Sequence, residues 1–153
     1  ANGFYEALKL EIMDAYLGLP YRNYNKIAAG MQKASEAQKE KQIKAVRDSI
    51  AMNPKADLPL TAYAGEYLHH IYGKMNIKIE NGKLIMRFEH HKGRYGTLEP
   101  LGGNRFFCTY SDPLYGMKKL QFTVENKKVK SLTVKVADFV EFTPYEFIKT
   151  VTK

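Results

Sequence analysis

The dipeptide Asn81-Gly82 constrains this chain more than any other feature of its sequence. Both central positions of a two-residue hairpin turn need positive φ, which asparagine and glycine adopt at little cost. Before the turn, Met75, Ile77 and Ile79 alternate with Lys74, Asn76, Lys78 and Glu80. After it, Leu84, Met86 and Phe88 alternate with Ile85, Arg87 and Glu89. A two-residue turn sets Ile79 opposite Leu84, Ile77 opposite Met86 and Met75 opposite Phe88. Three apolar pairs then share one face, so turn chemistry and patterning specify the same register. These six residues are expected to face the interior of a sheet protein.

The same period of two continues around this ribbon. Leu120, Phe122 and Val124 are linked across Asn126-Lys127 to Val129, Leu132 and Val134. Val129 and Leu132 cannot share a face of a regular strand, so a bulge is expected near Lys130-Ser131, where an extra residue helps a sheet curve. Further strands fit Ala64–Ile71, Arg94–Glu99, Asn104–Tyr110 and Phe139–Phe142, separated by Gly102-Gly103 and Asp112-Pro113. About eight short strands with tight turns are the pattern of an antiparallel up-and-down barrel or a curled meander.

Ahead of residue 57 the period is helical. Tyr5, Leu8, Ile12, Ala15, Tyr16 and Leu19 make one stripe, ended by Gly18 and Pro20. A second helix fits residues 24–51, with Ile27, Met31, Ala34, Ile43, Val46 and Ile50 on one side. Its middle, Ser35 to Lys44, is almost wholly polar and reads as a solvated helix or connector. Asn53-Pro54 ends it, because a residue before proline is pushed out of the α region. The expected organisation is a helical lead-in, 1–56, followed by a β-barrel domain, 57–153. Opening at Ala1-Asn2-Gly3 without methionine, the chain reads as a cut or processed piece.

Charge and cysteine content narrow the function classes. The net charge of +8 divides into +3 over residues 1–56 (nine basic, six acidic) and +5 over 57–153 (fifteen basic, ten acidic). Lys74, Lys78, Lys83, Lys118, Lys128, Lys130 and Lys135 are spread along expected strands, the pattern of a solvated sheet face with protected edges. No arginine-rich helix or aromatic-basic RNA-binding signature is present, so no nucleic-acid partner is expected. No apolar run approaches the roughly 20 residues that span a bilayer. Cys108 is the single cysteine, which excludes an internal disulfide, and its neighbours Phe106, Phe107, Thr109 and Tyr110 suit a buried small side chain rather than a reactive thiol.

From Leu58 the chain runs LPLTAYAGEY, YGKMNIKIENGKLIMRF, GTLEPLGGNRFFCTYSDPLYG and KLQFTVENKKVKSLTVKVADFVEFTPY. The features in that order are Tyr63-x-Gly65-x-Tyr67, the Asn81-Gly82-Lys83-Leu84 hairpin, Gly96-Thr97-Leu98, the Asp112-Pro113 turn, and the Phe122-x-Val124 to Leu132-x-Val134 hairpin. Over residues 58–147 the set resembles the uncharacterised β-domain found C-terminal to serine β-lactamase-like hydrolases, relatives of class C β-lactamases and penicillin-binding proteins. The resemblance implies a lipocalin-like barrel, a bacterial and exported parent in the periplasm or outside the cell, and a hydrolase domain as partner. In such parents a terminal helix of the hydrolase precedes the barrel, and EIMDAYLGLP looks like that helix. The resemblance implies no established ligand.

Parent enzymes of that class use Ser-x-x-Lys, Tyr-x-Asn or Ser-x-Asn, and Lys-Thr-Gly or His-x-Gly. Ser35, Ser49, Ser111 and Ser131 are the serines of this chain, and none has lysine three residues on. Tyr21-Arg22-Asn23 and His91-Lys92-Gly93 match fragments but have no nucleophile to assist. No catalytic residue and no cofactor is therefore expected, and the chain reads as a non-catalytic accessory domain. The chief alternative, ahead of a third reading as a protein–protein or cell-envelope-glycan module, is a small-ligand-binding barrel. Tyr63, Tyr67, Tyr95, Phe107 and Tyr110 are the candidate lining residues of its interior or mouth, with Tyr72 and Tyr115 as further tyrosines. Core packing explains the same composition without a ligand. The pairs His69-His70 and His90-His91 offer one side chain each to a given face, so a site combining one histidine of each pair with Glu66 or Glu89 is conceivable but needs a third ligand in the right place, and exposed strand-end histidines with no metal are the expectation. The apolar stripe of the first helix suggests a homodimer through that helix.

Overall fold

A computed structural model describes residues 3–135 and 143–150. Among these residues eight strands follow one another in chain order: β1 (Gly65–His69), β2 (Gly73–Glu80), β3 (Lys83–Phe88), β4 (Gly96–Pro100), β5 (Arg105–Tyr110), β6 (Met117–Glu125), β7 (Lys128–Val134) and β8 (Tyr145–Lys149). Each is antiparallel to the next, and β8 returns to pair with β1, so the sheet closes on itself. The up-and-down barrel expected from the turn spacing is the fold, with a helical segment ahead of it.

The first hairpin forms in the anticipated register: Ile79 opposes Leu84, Ile77 opposes Met86 and Met75 opposes Phe88. Asn81 and Gly82 carry φ of 50° and 74°, as the turn type demands. Met75, Ile77, Leu84 and Met86 are fully buried, and Phe88 packs half-buried against them. Ile79 departs from the expectation and stays 40% exposed. It has the inward parity and sits beside the turn, while its cross-strand partner Leu84 is fully buried. In the second hairpin Thr123 opposes Ser131 while Val124 opposes Val129, so Lys130 is the extra residue of a bulge. The expected strand Phe139–Phe142 lies outside the described residues. The last strand observed, Tyr145–Lys149, was not anticipated.

The barrel interior is occupied by packed side chains, including Tyr67, Phe106, Cys108, Phe122, Leu132 and Phe147. One end is stoppered by a single helical turn, α3 (Leu60–Tyr63; the two longer helices ahead of it are α1, Gly3–Tyr16, and α2, Tyr24–Ala51), which lies against β2, β3 and β7. From it the fully buried Tyr63 drives its ring between Phe106 and Phe122, with centroids 4.9 Å from each. Its hydroxyl donates to Asn104 Oδ1 (2.6 Å) and accepts from the Leu58 N–H (3.3 Å). The Tyr67 hydroxyl donates to the Tyr63 carbonyl (2.7 Å), and Lys149 Nζ donates to the Ala62 carbonyl (2.5 Å). These bonds satisfy polar groups that would otherwise be costly to bury.

The chain divides into two compact units, Ala1–Arg47 and Asp48–Lys153. Helix α1 ends at Gly18 (φ 65°), where Gly18 N–H bonds the Ala15 carbonyl and Leu19 N–H the Asp14 carbonyl, a Schellman ending. Asn23 caps α2 through Oδ1, which accepts from the Lys26 N–H (2.9 Å), and Tyr24 hydroxyl bonds Asp14 (2.7 Å). Asn53 (φ 53°) and Pro54 terminate α2. The stripe Tyr5, Leu8, Ile12, Tyr16 and Leu19 is exposed along its whole length. No helix among the described residues is long and apolar enough to cross a membrane.

Candidate functional site at the barrel rim

Up-and-down connectivity sends alternate connections to opposite ends of the barrel. The β2–β3, β4–β5 and β6–β7 turns share the end stoppered by α3. The β1–β2, β3–β4, β5–β6 and β7–β8 connections form the other end, the rim. All four histidines fall there, His69 and His70 at the β1–β2 connection and His90 and His91 at the β3–β4 connection.

His69 is the centre of a ring cluster drawn from distant parts of the chain. Its imidazole centroid lies 4.5 Å from His70, 5.2 Å from Tyr72, 5.6 Å from Tyr145 and 5.2 Å from Phe147. Tyr72 and Tyr145 stand 4.6 Å apart, and Phe88 extends the cluster to Phe147 (5.8 Å) and His91 (6.2 Å). Such tilted and edge-on contacts are the favoured geometry for ring quadrupoles. His69 Nδ1 accepts from the backbone N–H groups of Ile71 (3.2 Å) and Tyr72 (3.3 Å), which places its ring proton on Nε2. Burial first, and the neighbouring His70 second, hold its pKa below the ordinary histidine value.

The rest of the rim is pinned by charge. Glu89 Oε2 accepts from the Lys74 N–H (3.0 Å) and lies 3.9 Å from His90 Nε2. Both groups crowd Gly73 (φ 70°), where a Cβ would stand 2.9 Å from the Glu89 oxygen and 3.1 Å from His90 Nε2. Both are the ends of exposed side chains that can shift, so the positive φ is what favours glycine there. Arg94 pairs with Asp112 (3.3 Å), donates to the Tyr115 hydroxyl (3.2 Å) and lies over that ring at 5.7 Å.

The residues anticipated as ligand-lining are spread over the barrel. Tyr63 and Tyr67 meet each other at the stoppered end, where desolvation raises the pKa of both phenols. Tyr110 and Tyr95 belong to the rim half, Tyr110 buried 6.1 Å from the Tyr115 ring and Tyr95 exposed beneath Arg87 at 5.5 Å. Phe107 projects from the opposite face of β5 to Phe106 and Cys108, outside the interior cluster. Sequence reasoning did not assemble His69, Tyr145 and Phe147. Their meeting depends on barrel closure between strands some 80 residues apart, which no local pattern encodes.

Two nucleophile-bearing side chains, Cys108 and Ser131, lie buried in the barrel. Desolvation pushes the Cys108 thiol up to about 12, with a hydrogen bond from Tyr110 acting in the opposite sense. Ser131, also buried, donates its hydroxyl to Glu146 (2.5 Å). Among the described residues no group of three histidine, cysteine, aspartate or glutamate side chains is gathered to hold a metal ion.

In a comparison with known families, the family described as Domain of unknown function (DUF3471) matches residues 51–149. That span takes in α3 and all eight strands. No curated protein and no solved structure matches the chain.

Proposed function

We propose, from the premise that this chain belongs to the DUF3471 family, that its barrel is a non-catalytic accessory domain of a bacterial β-lactamase-like serine hydrolase. In this reading it docks on the catalytic domain or shapes access to its substrate, in the periplasm or outside the cell, and its barrel is lipocalin-like in form. The observation that carries the reading is the filled interior, in which Tyr63, Tyr67, Phe106 and Phe122 occupy the space an interior ligand would need. A barrel closed to ligands inside has its outer surface and rim left for recognition. The exposed α1 stripe supports a partner for the helical unit, either the hydrolase domain or a second copy of this chain.

Two measurements test the proposal. The coding sequence upstream of Ala1 is expected to specify a hydrolase-sized domain with Ser-x-x-Lys; an upstream sequence without it overturns the accessory role. Fluorescent penicillin and fluorophosphonate probes are expected to leave this chain unlabelled. Stoichiometric labelling by either would assign it a nucleophile and overturn the non-catalytic reading.

A further inference from the structure

Histidine is the side chain whose charge changes near neutral pH, and its two ring nitrogens change roles when it does. Neutral His69 offers one acceptor, Nδ1, and that acceptor holds the N–H groups of Ile71 and Tyr72, which shape the β1–β2 connection. A protonated imidazole has two donors and no acceptor. Proton gain would therefore turn a nitrogen that receives two N–H groups into a third N–H facing them. The connection cannot keep its geometry through that exchange.

We infer that the β1–β2 connection is an acid-released latch: His69 closes it when neutral and opens it when protonated, uncovering the ring surface beneath.

What lies beneath is defined by the cluster. Phe147 is 2% exposed and Tyr145 half-buried, both in contact with the His69 ring from β8. Release of residues 69–72 would bare these rings at the rim, together with the Phe88 face that meets Phe147. The β1–β8 seam makes release local. Its paired residues are Tyr67 with Lys149 and Leu68 with Ile148, so no β8 partner is registered opposite His69. Side-chain rings, not ladder hydrogen bonds, bridge the two strands at the rim.

The groups around His69 set the sign. Its own connection contributes His70 and Tyr72, and β8 contributes the Tyr145 phenol and the apolar Phe147. From β2 comes Gly73, its register partner, against which Glu89 and His90 of the β3–β4 connection lie. Glu89 Oε2 is engaged by the Lys74 N–H, and the structure gives it no contact with His69. Among the described residues no carboxylate is bonded to the imidazole to favour its cation. The closed form holds the His69 pKa below 6.5, while the opened connection returns it to the solvated value. The open form then binds protons first as pH falls. Closure is fully present above about pH 6.5 and is lost as pH falls toward the depressed value.

The test is nitrogen and amide NMR on the full chain from pH 8 to pH 4.5. At pH 8 the His69 nitrogen shifts are expected to report a proton on Nε2. As pH falls, the protection factors of the Ile71 and Tyr72 amides should drop, by up to about tenfold for each pH unit of pKa depression. Amides of the Asn81-Gly82 hairpin should keep theirs. His69→Asn supplies Oδ1 in place of Nδ1 and cannot titrate, so its amides should stay protected throughout. His69→Phe removes the acceptor and should leave them unprotected at every pH. His70→Asn should retain the wild-type transition. A proton on Nδ1 at pH 8, protection independent of pH, or an unchanged transition in His69→Asn each overturns the latch.

Discussion

Gly96 shows how finely the interior is matched at single positions. Its φ is ordinary, yet a Cβ there would lie 2.7 Å from Cys108 Sγ and 3.1 Å from Met86 Cε. Glycine is present for room rather than for conformation. Gly96→Ala is expected to cost about 1–3 kcal/mol through overpacking, read from the denaturant midpoint. In a Cys108→Ala background, where the sulfur has gone, the same change should cost at least about 1 kcal/mol less. Equal penalties in the two backgrounds would mean that the contact is not the cause. Patterning along β2 gives a second comparison. Ile77 is 1% exposed and its neighbour Lys78 points outward. Ile77→Asp should abolish the folding transition by burying an unpaired charge, whereas Lys78→Asp should shift the midpoint by less than about 0.5 kcal/mol. Similar melting temperatures for the two variants would contradict the assigned face.

The two tight hairpins solve one problem with different residues. Asn81-Gly82 and Asn126-Lys127 both hold positive φ at each turn position, but Lys127, at 59°, does so with a side chain. Lys127→Gly is expected to raise stability by about 0.5–1 kcal/mol, and Gly82→Lys to lower it by about 1 kcal/mol, in chemical denaturation. No atom lies within 4 Å of a Cβ at Gly82, so that loss would be a backbone effect alone. At this scale much of the fold was legible, because register and turn chemistry are local. The Asn81-Gly82 pairing and the extra residue at Lys130 both follow from counting alternation. Strand β8 was not legible. Its inward positions are Tyr145, Phe147 and Lys149, while Ile148 points out, so a lysine stands where the period wants an apolar residue. Only the structure explains that lysine: its Nζ reaches the Ala62 carbonyl of the stopper and lies 5.7 Å from the Tyr67 ring centre. The rim was equally hidden, since His69 and Tyr145 are neighbours only once the barrel has closed.

At the level of the whole molecule, the helical unit and the barrel differ in how they bury apolar surface. The barrel packs a continuous apolar interior, while the Tyr5, Leu8, Ile12, Tyr16 and Leu19 face of α1 remains open. Five such side chains represent several kcal/mol of burial at about 25 cal/mol per Å². In the absence of a hydrolase domain, light scattering is expected to show a dimer for the full chain and a monomer for a version beginning at Asp48, the first residue of the second unit. A dimer that survives this truncation would place the interface on the barrel instead. The closing seam carries a different consequence. It joins Leu68 to Ile148, so β1 and β7 present unpaired edges until β8 exists to receive both. During synthesis, six hairpin-linked neighbours of β1 can emerge and pair while the sheet is still an open ribbon. Only when Lys149 clears the ribosomal tunnel can the ribbon be sewn shut. A nascent chain stalled before that point would carry two bare β-edges, the kind of template on which other chains aggregate.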